Sequence, residues 1–375
     1  SLHDALPIWL SRLAEVAAEA GLPFEAVSLD RLGAEFGFAP PRANGFDVVA
    51  AIDAMAKGEA RVFFAMGGNF AAATPDTPTT WSALQRCALT VHVATKFNRS
   101  HTVHGREALV LPCLGRTEVD HQASGAQHIS VEDSMSMVHL SAGINAPASP
   151  HLLSEPVIVA RLAAATLPHS RVPWLWLVED YGRIRDHIEQ VFDEFAGFNH
   201  KVHQPGGFRL RNTASERVWA TASGKAQFAA HAIPTDTVVH RAKSRAGASP
   251  VFTLTTVRAH DQYNTTVYGL DDRYRGVFGQ RRVLFVNAQD RERSGFAEGA
   301  WVDLVGAVPG DIERVAPGFK LVDHDIPPGC VAAYYPETNV LVPLASHALG
   351  ARTPTSKSIP VRLRPTTVPA EMEAA

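Results

Sequence analysis

Arg61-Val-Phe-Phe-Ala-Met-Gly-Gly-Asn69 decides the architecture of the first part of the chain. Its apolar run is short and rich in β-formers, and Gly-Gly-Asn stops it, so it reads as a buried strand that ends in a turn. Before it, about Asp47 to Lys57, helical spacing would bury Val48, Val49, Ile52 and Met55. After it come a helix around Thr79 to Cys87, a strand from Leu89 to Ala94 and a third apolar run, Ala108 to Leu111. Strands and helices alternating at these lengths imply an α/β domain with a parallel sheet and right-handed crossovers.

Ligands of such sheets bind beyond the carboxyl ends of the strands. All three ends here carry polar or glycine-rich segments: Gly67 to Phe70, Thr95 to Ser100 and Pro112 to Glu118. Gly67 and Gly68 would let backbone N–H groups approach a phosphate or carbonyl, and Lys96 could neutralise phosphate charge. No GxGxxG follows a strand and no GxSxG elbow occurs. Ser223-Gly-Lys-Ala226 lacks the leading glycine and the final hydroxyl of a P-loop, and it reads as the end of a hairpin between Val218 and Phe228.

Residues 151 to 200 read as helical connection. Ser154 is expected to cap a helix with Pro156 in its first turn and Ile158, Leu162 and Ala165 on its apolar face. A second helix runs near Tyr181 to Phe192, and Trp174 and Trp176 are expected as core anchors.

Beyond Arg241 to Pro250, which has linker composition, short strands dominate. They are expected at Val251 to Val257, Val283 to Val286, Trp301 to Val305, Gly318 to Val322, Cys330 to Tyr335, Val340 to Val342 and Ile359 to Leu363. One short helix, capped by Asn287 and closed by Gly295, interrupts them, and the whole reads as a compact barrel. The first strand runs into Arg258-Ala-His-Asp-Gln-Tyr-Asn-Thr-Thr-Val-Tyr-Gly-Leu-Asp-Asp272, a loop dense in hydrogen-bonding groups. Its guanidinium, imidazole, amide, hydroxyl and phenol groups suit a large polar ligand.

Composition narrows the function classes. With 375 residues, 46% hydrophobic and 19% charged, the chain is globular and long enough for two domains. A net charge of −3 without long runs of one sign offers nothing to nucleic acid or an anionic membrane surface. The most apolar helical stretch, Pro156 to Leu167, is too short to span a bilayer, and a cytoplasmic location is expected. Cys87, Cys113 and Cys330 form no CxxC pair, and the His101/His104 and His200/His203 pairs lack a third ligand nearby, so no metal site is assigned. Ser1-Leu-His-Asp-Ala-Leu-Pro-Ile8 matches the in-frame translation of a sequencing adapter and is set aside as an artefact. The helical pattern of Trp9 to Ala20 begins after it.

Met66 to Phe70, Thr95 to His101, Leu109 to Glu118 and Arg258 to Arg275 together resemble the C-terminal half of FdhF/YdeP-type molybdopterin oxidoreductases. These are formate-dehydrogenase-like alpha subunits of the dimethyl-sulfoxide-reductase superfamily. The resemblance spans residues 9 to 365 and includes Val286-Asn287, Gly295 to Leu304, Asn339 to Pro343 and Ser356 to Ser358. Asn287-Ala288 and Ala300 depart from the usual Asn-Pro and acidic residue of the family, in turns of the barrel.

The resemblance implies an α/β domain over 9–240, a linker over 241–250, a six-stranded double-psi β-barrel over 251–368 and a tail over 369–375. It implies a bis(molybdopterin guanine dinucleotide) cofactor with molybdenum. Met66, Gly67, Gly68 and Asn69, with Thr95, Lys96, Asn98 and Ser100, would hold one guanine dinucleotide. Arg258, His260, Gln262, Tyr263, Asn264 and Thr265, with Asn339 and Lys357, would contact pterin or phosphate. The molybdenum ligand and any 4Fe-4S iron-sulfur cluster are expected in a missing N-terminal half of the same chain, so no catalytic residue is assigned and the fragment alone is expected to be inactive. The implied partners are that half, a small substrate such as formate and an electron-transfer protein. The alternative is a catalytically silent paralogue that acts in cofactor binding or acid resistance.

Overall fold

The structure, a computed structural model, describes residues 24–219, 221–247, 249–263 and 268–366. The expected helix from Trp9 and the candidate residues Asn264 and Thr265 lie outside the described residues. In chain order the strands are β1 (Val62–Met66), β2 (Leu89–Ala94), β3 (Glu107–Pro112), β4 (His121–Gln122), β5 (Gly125–Ala126), β6 (Ile129–Glu132), β7 (Met137–Ser141) and β8 (Phe208–Arg209). They continue with β9 (Phe252–Val257), β10 (Val283–Val286), β11 (Trp301–Gly306), β12 (Val315–Asp323), β13 (Cys330–Tyr334) and β14 (Ile359–Pro365).

Two compact units result, one from residues 46–111 with 232–375, the other from the chain up to 45 with 112–231. Compactness therefore does not divide the chain at the stretch of linker composition, residues 241–250. The helix Val238–Ser244 runs into that stretch, and the parallel strands share a unit with the barrel.

In the first unit β1 and β2 pair in parallel, Val62 with Leu89 through Met66 with Val93, and β3 lies on the other side of β2. Helices Val48–Lys57 and Thr77–Arg86 cover this sheet through Ile52, Met55, Ala83 and Leu84. Asp47 caps the first of them by accepting the Ala50 N–H at 2.9 Å. The remaining strands close a barrel in the order β10-β12-β11-β14-β9-β13. Alternating residues of β9, Phe252 and Leu254, point into its core beside Leu284, Leu304, Phe319 and Leu321. Six of the seven expected barrel strands form. The run Val340 to Val342 instead falls in a 3₁₀ turn, Asn339–Leu341, because the backbone there bonds locally, Leu341 N–H to Thr338 O and Val342 N–H to Asn339 O.

The second unit holds the hairpin β4–β5 and the sheet β6-β7-β8, none of which periodicity revealed because the strands have only two to five residues. Helix Glu155–Thr166 forms as expected, but it buries Val157 and Ala160 while Leu162 is exposed. Ser154 does not cap it, because its hydroxyl is taken by Tyr181 Oη at 2.7 Å. Trp176 is 45% exposed rather than a core anchor, with Arg183 stacked on its ring. No strand occurs among the described residues 210–237, so the hairpin expected between Val218 and Phe228 is absent; Gly224 sits in a turn closed by Thr221 and Lys225. Gly207 is required twice over, by a φ of +72° and because a Cβ would lie 1.9 Å from Val138 O.

Candidate functional site

The ends of β1 and β2 are bonded into one framework. Gly67 continues the ladder with its N–H on Val93 O at 2.8 Å and then turns the chain at φ +68°. Gly68 is exposed, and a Cβ there would meet nothing within 4 Å, so its backbone stands open. Asn98 donates from Nδ2 to Gly68 O at 3.1 Å and accepts the Ser100 N–H at 2.9 Å, while His101 Nδ1 accepts the Asn98 N–H. Ser100 is fully buried; its hydroxyl accepts the Ala71 N–H at 3.0 Å and donates to Asn69 Oδ1 at 3.3 Å. Ser100→Ala should therefore strand two buried partners and cost about 1–3 kcal/mol in a urea titration; a loss below about 0.5 kcal/mol would contradict this framework.

Met66 closes β1, half-buried, whereas Thr95 and Lys96 are exposed at the rim of that framework. Among the described residues no carboxylate lies within 4 Å of the Lys96 amine. An open glycine backbone at the end of one strand and an exposed lysine in the loop after its neighbour are a chemical match for phosphate oxygens.

The second cluster of candidate residues follows β9. Arg258 is exposed, and its carbonyl accepts Arg275 Nη1 at 3.0 Å. His260 Nδ1 lies 3.0 Å from Asp272 Oδ1, with Tyr274 packed against its ring at 4.5 Å. Asp272 is buried, which raises its pKa, but hydrogen bonds from Arg275, Tyr334 and His260 outweigh this and hold it below the usual carboxylate range. Gln262 is buried and occupied within the protein: Oε1 accepts from Ala259 N–H and Arg281 Nη2, and Nε2 donates to Tyr335 O at 2.9 Å. Tyr263 is 60% exposed. The Lys357 amine donates to the carbonyl and hydroxyl of Thr256, and burial together with the Arg258 charge pulls its pKa down.

Both clusters lie in the same compact unit, and buried polar groups tie them together. Asn339 donates to Ala72 O at 2.8 Å and Ala73 O at 3.0 Å, so its amide serves this junction, and Tyr335 Oη donates to Ala73 O at 2.7 Å. Arg314 makes a two-bond pair with Asp76, 2.7 and 3.0 Å. Tyr268 stacks on Arg281, 4.1 Å from its guanidinium carbon. Burial raises the Tyr268 pKa, aided by Glu337 and opposed by Arg281 and Arg99. Arg281, Asp76, Arg314 and Tyr335 were not singled out by sequence reasoning, since isolated residues far apart in the chain carry no spacing signal.

Residues 252–360 match the molydopterin dinucleotide binding domain, a span that contains the whole second cluster. Over 90% of its length the chain is 50% identical to an uncharacterized oxidoreductase of Mycobacterium tuberculosis and 45% identical to protein YdeP of Escherichia coli. It covers 43% and 44% of those proteins, so it spans less than half the length of these relatives. Acetylene hydratase from Pelobacter acetylenicus shares the fold at a TM-score of 0.57 and 13% identity, over 91% of this chain and 50% of that one. Among the described residues no helix is long and apolar enough to cross a membrane. The barrel, its dinucleotide-binding match and the long alignment to YdeP and its mycobacterial relative are consistent with the C-terminal region of a molybdopterin oxidoreductase.

Proposed function

We propose that this chain forms one wall of a bis(molybdopterin guanine dinucleotide) site in a molybdenum-dependent oxidoreductase with formate-dehydrogenase-like two-electron chemistry, its 251–368 region being a double-psi barrel. The observation that carries the reading is the framework Gly67–Asn69/Asn98–Ser100 with Lys96 at its rim, held in one unit with the loop after β9. When bound, the cofactor supplies the redox chemistry through molybdenum states two electrons apart. The chain's own work is to hold it: the Gly67–Gly68 backbone and Lys96 would receive phosphate oxygens of one dinucleotide. Arg258 and Lys357 would offset negative charge on the other side, and Asp272 fixes the His260 ring that faces the same loop.

The test uses a chain of the relatives' full length. Purified protein should carry molybdenum and release guanine nucleotide on acid hydrolysis, and Lys96→Glu should lower both about tenfold or more, as expected from losing a charged hydrogen bond of about 1.5–3 kcal/mol. Wild-type protein with neither molybdenum nor guanine, produced in cells that make the cofactor, would overturn the proposal.

A further inference from the structure

A cleft of about 410 Å³ in the other compact unit has a buried arginine at its wall, and we propose that it binds a small carboxylate anion. Arg185, 7% exposed, projects from helix Tyr181–Val191. Its Nε donates to Asn199 Oδ1 at 2.7 Å and its Nη1 to His128 O at 3.0 Å, both neutral acceptors. Among the described residues no carboxylate lies within 4 Å of this guanidinium, and Nη2 has no acceptor. Asp180 and Asp186 act on this buried cation only from beyond ion-pair distance, so its Nη2 edge is left open to an anion in the adjoining cleft.

The framework holds the guanidinium in place. Asn199 is anchored by its Nδ2 on Gly182 O at 2.8 Å. Gln127 fixes the helix start by accepting the Tyr181 N–H at 2.8 Å and donating to Ser124 Oγ at 2.8 Å. Asp180 and Asp186 border the cleft, each committing one oxygen within the protein, to the Gly182 N–H and the Asn199 amide respectively. With Arg183 and Arg185 they bring the formal charge of the lining to zero, histidines neutral, which favours a monoanion over a phosphate dianion. Planar carboxylate oxygens match the free edge of a guanidinium.

Acetate titrated into the chain at constant ionic strength, with chloride as the balancing ion, should give saturable binding by calorimetry or NMR, roughly millimolar for so small a ligand. Arg185→Lys should weaken it at least tenfold. Because a change at a buried arginine could unfold the unit, Ala126→Glu provides the second arm. Ala126 is an exposed lining residue, and a like charge there should also weaken acetate binding about tenfold with the circular dichroism unchanged. The proposal fails if wild-type binding does not saturate, if neither substitution weakens it, or if phosphate binds more tightly than acetate. The outcome is independent of the molybdopterin reading, whose residues lie in the other unit.

Discussion

Asp76→Asn is expected to lower the unfolding free energy by about 3 kcal/mol, the lower end of what removing one partner of a buried ion pair costs. Asp76 is 3% exposed and sits at φ +52°, a left-handed conformation that asparagine also tolerates, so the substitution removes charge without adding backbone strain. Its carboxylate receives both Nη atoms of Arg314 and the Leu344 N–H at 3.0 Å. Arg314 retains Asp311, 2.6 Å from Nε, and this second carboxylate limits the loss. Burial raises the Asp76 pKa, but bonds from Arg314, Leu344 and Thr79 outweigh it and leave the folded value below the ordinary one. A depressed folded value means that the pair stabilises the protein above the unfolded pKa and loses this contribution as pH falls through the folded one. The gap between wild type and Asp76→Asn in urea titrations should accordingly narrow on acidification. A gap under 1 kcal/mol at neutral pH, or one that widens in acid, would refute the assignment.

Which features the sequence could disclose follows from the range of the forces that make them. β1, β2 and most barrel strands are written in contiguous apolar runs, and helix Val48–Lys57 in its spacing, because a local pattern decides which face is buried. The polar loops at strand ends were visible for the same reason, and the structure joins Gly68 to Asn98 and Asn69 to Ser100. Roles within them were not visible. Gln262 and Asn339 look like ligand-binding amides in a linear reading, yet each spends its amide on backbone carbonyls far away in the chain. Val340 to Val342 has the composition of a strand, but its backbone bonds within a 3₁₀ turn, and Leu341 and Val342 are buried there all the same. Ser154 has a capping residue's position but its hydroxyl bonds Tyr181, 27 residues away. For Gln262, Asn339 and Ser154 a hydrogen bond to a residue distant in the chain overrides what neighbouring residues specify, whereas Val340 to Val342 is held by local backbone bonds.

Arg281 shows the same point with the larger consequence for the site. It precedes the start of β10 by two residues, outside the polar loop, is 5% exposed, and its Nη2 reaches Gln262 Oε1 at 2.9 Å and Tyr335 O at 2.8 Å. Nε pairs with Glu337 at 2.6 Å, and the guanidinium lies against the rings of Tyr268 and Tyr334 at 4.1 and 4.9 Å. One side chain thus orients the amide that fixes the start of the loop after β9. Arg281→Met would keep much of the packing volume but leave Glu337 without its cation and remove one of the two bonds to both Gln262 Oε1 and Tyr335 O, and it should cost about 3–5 kcal/mol. The Ala259 and Gln262 amides should also exchange faster with solvent, because the Gln262 side chain that accepts the Ala259 N–H loses one of its two anchors and keeps only Tyr335 O. Arg281→Lys retains a charge for Glu337 but not a fork that spans two acceptors, so it should recover the ion pair and only part of the exchange protection. Loss of stability without faster exchange at Ala259 would reduce Arg281 to an ordinary core cation. Faster exchange in both variants, graded from Lys to Met, would identify it as the residue that pre-organises the loop before any ligand arrives.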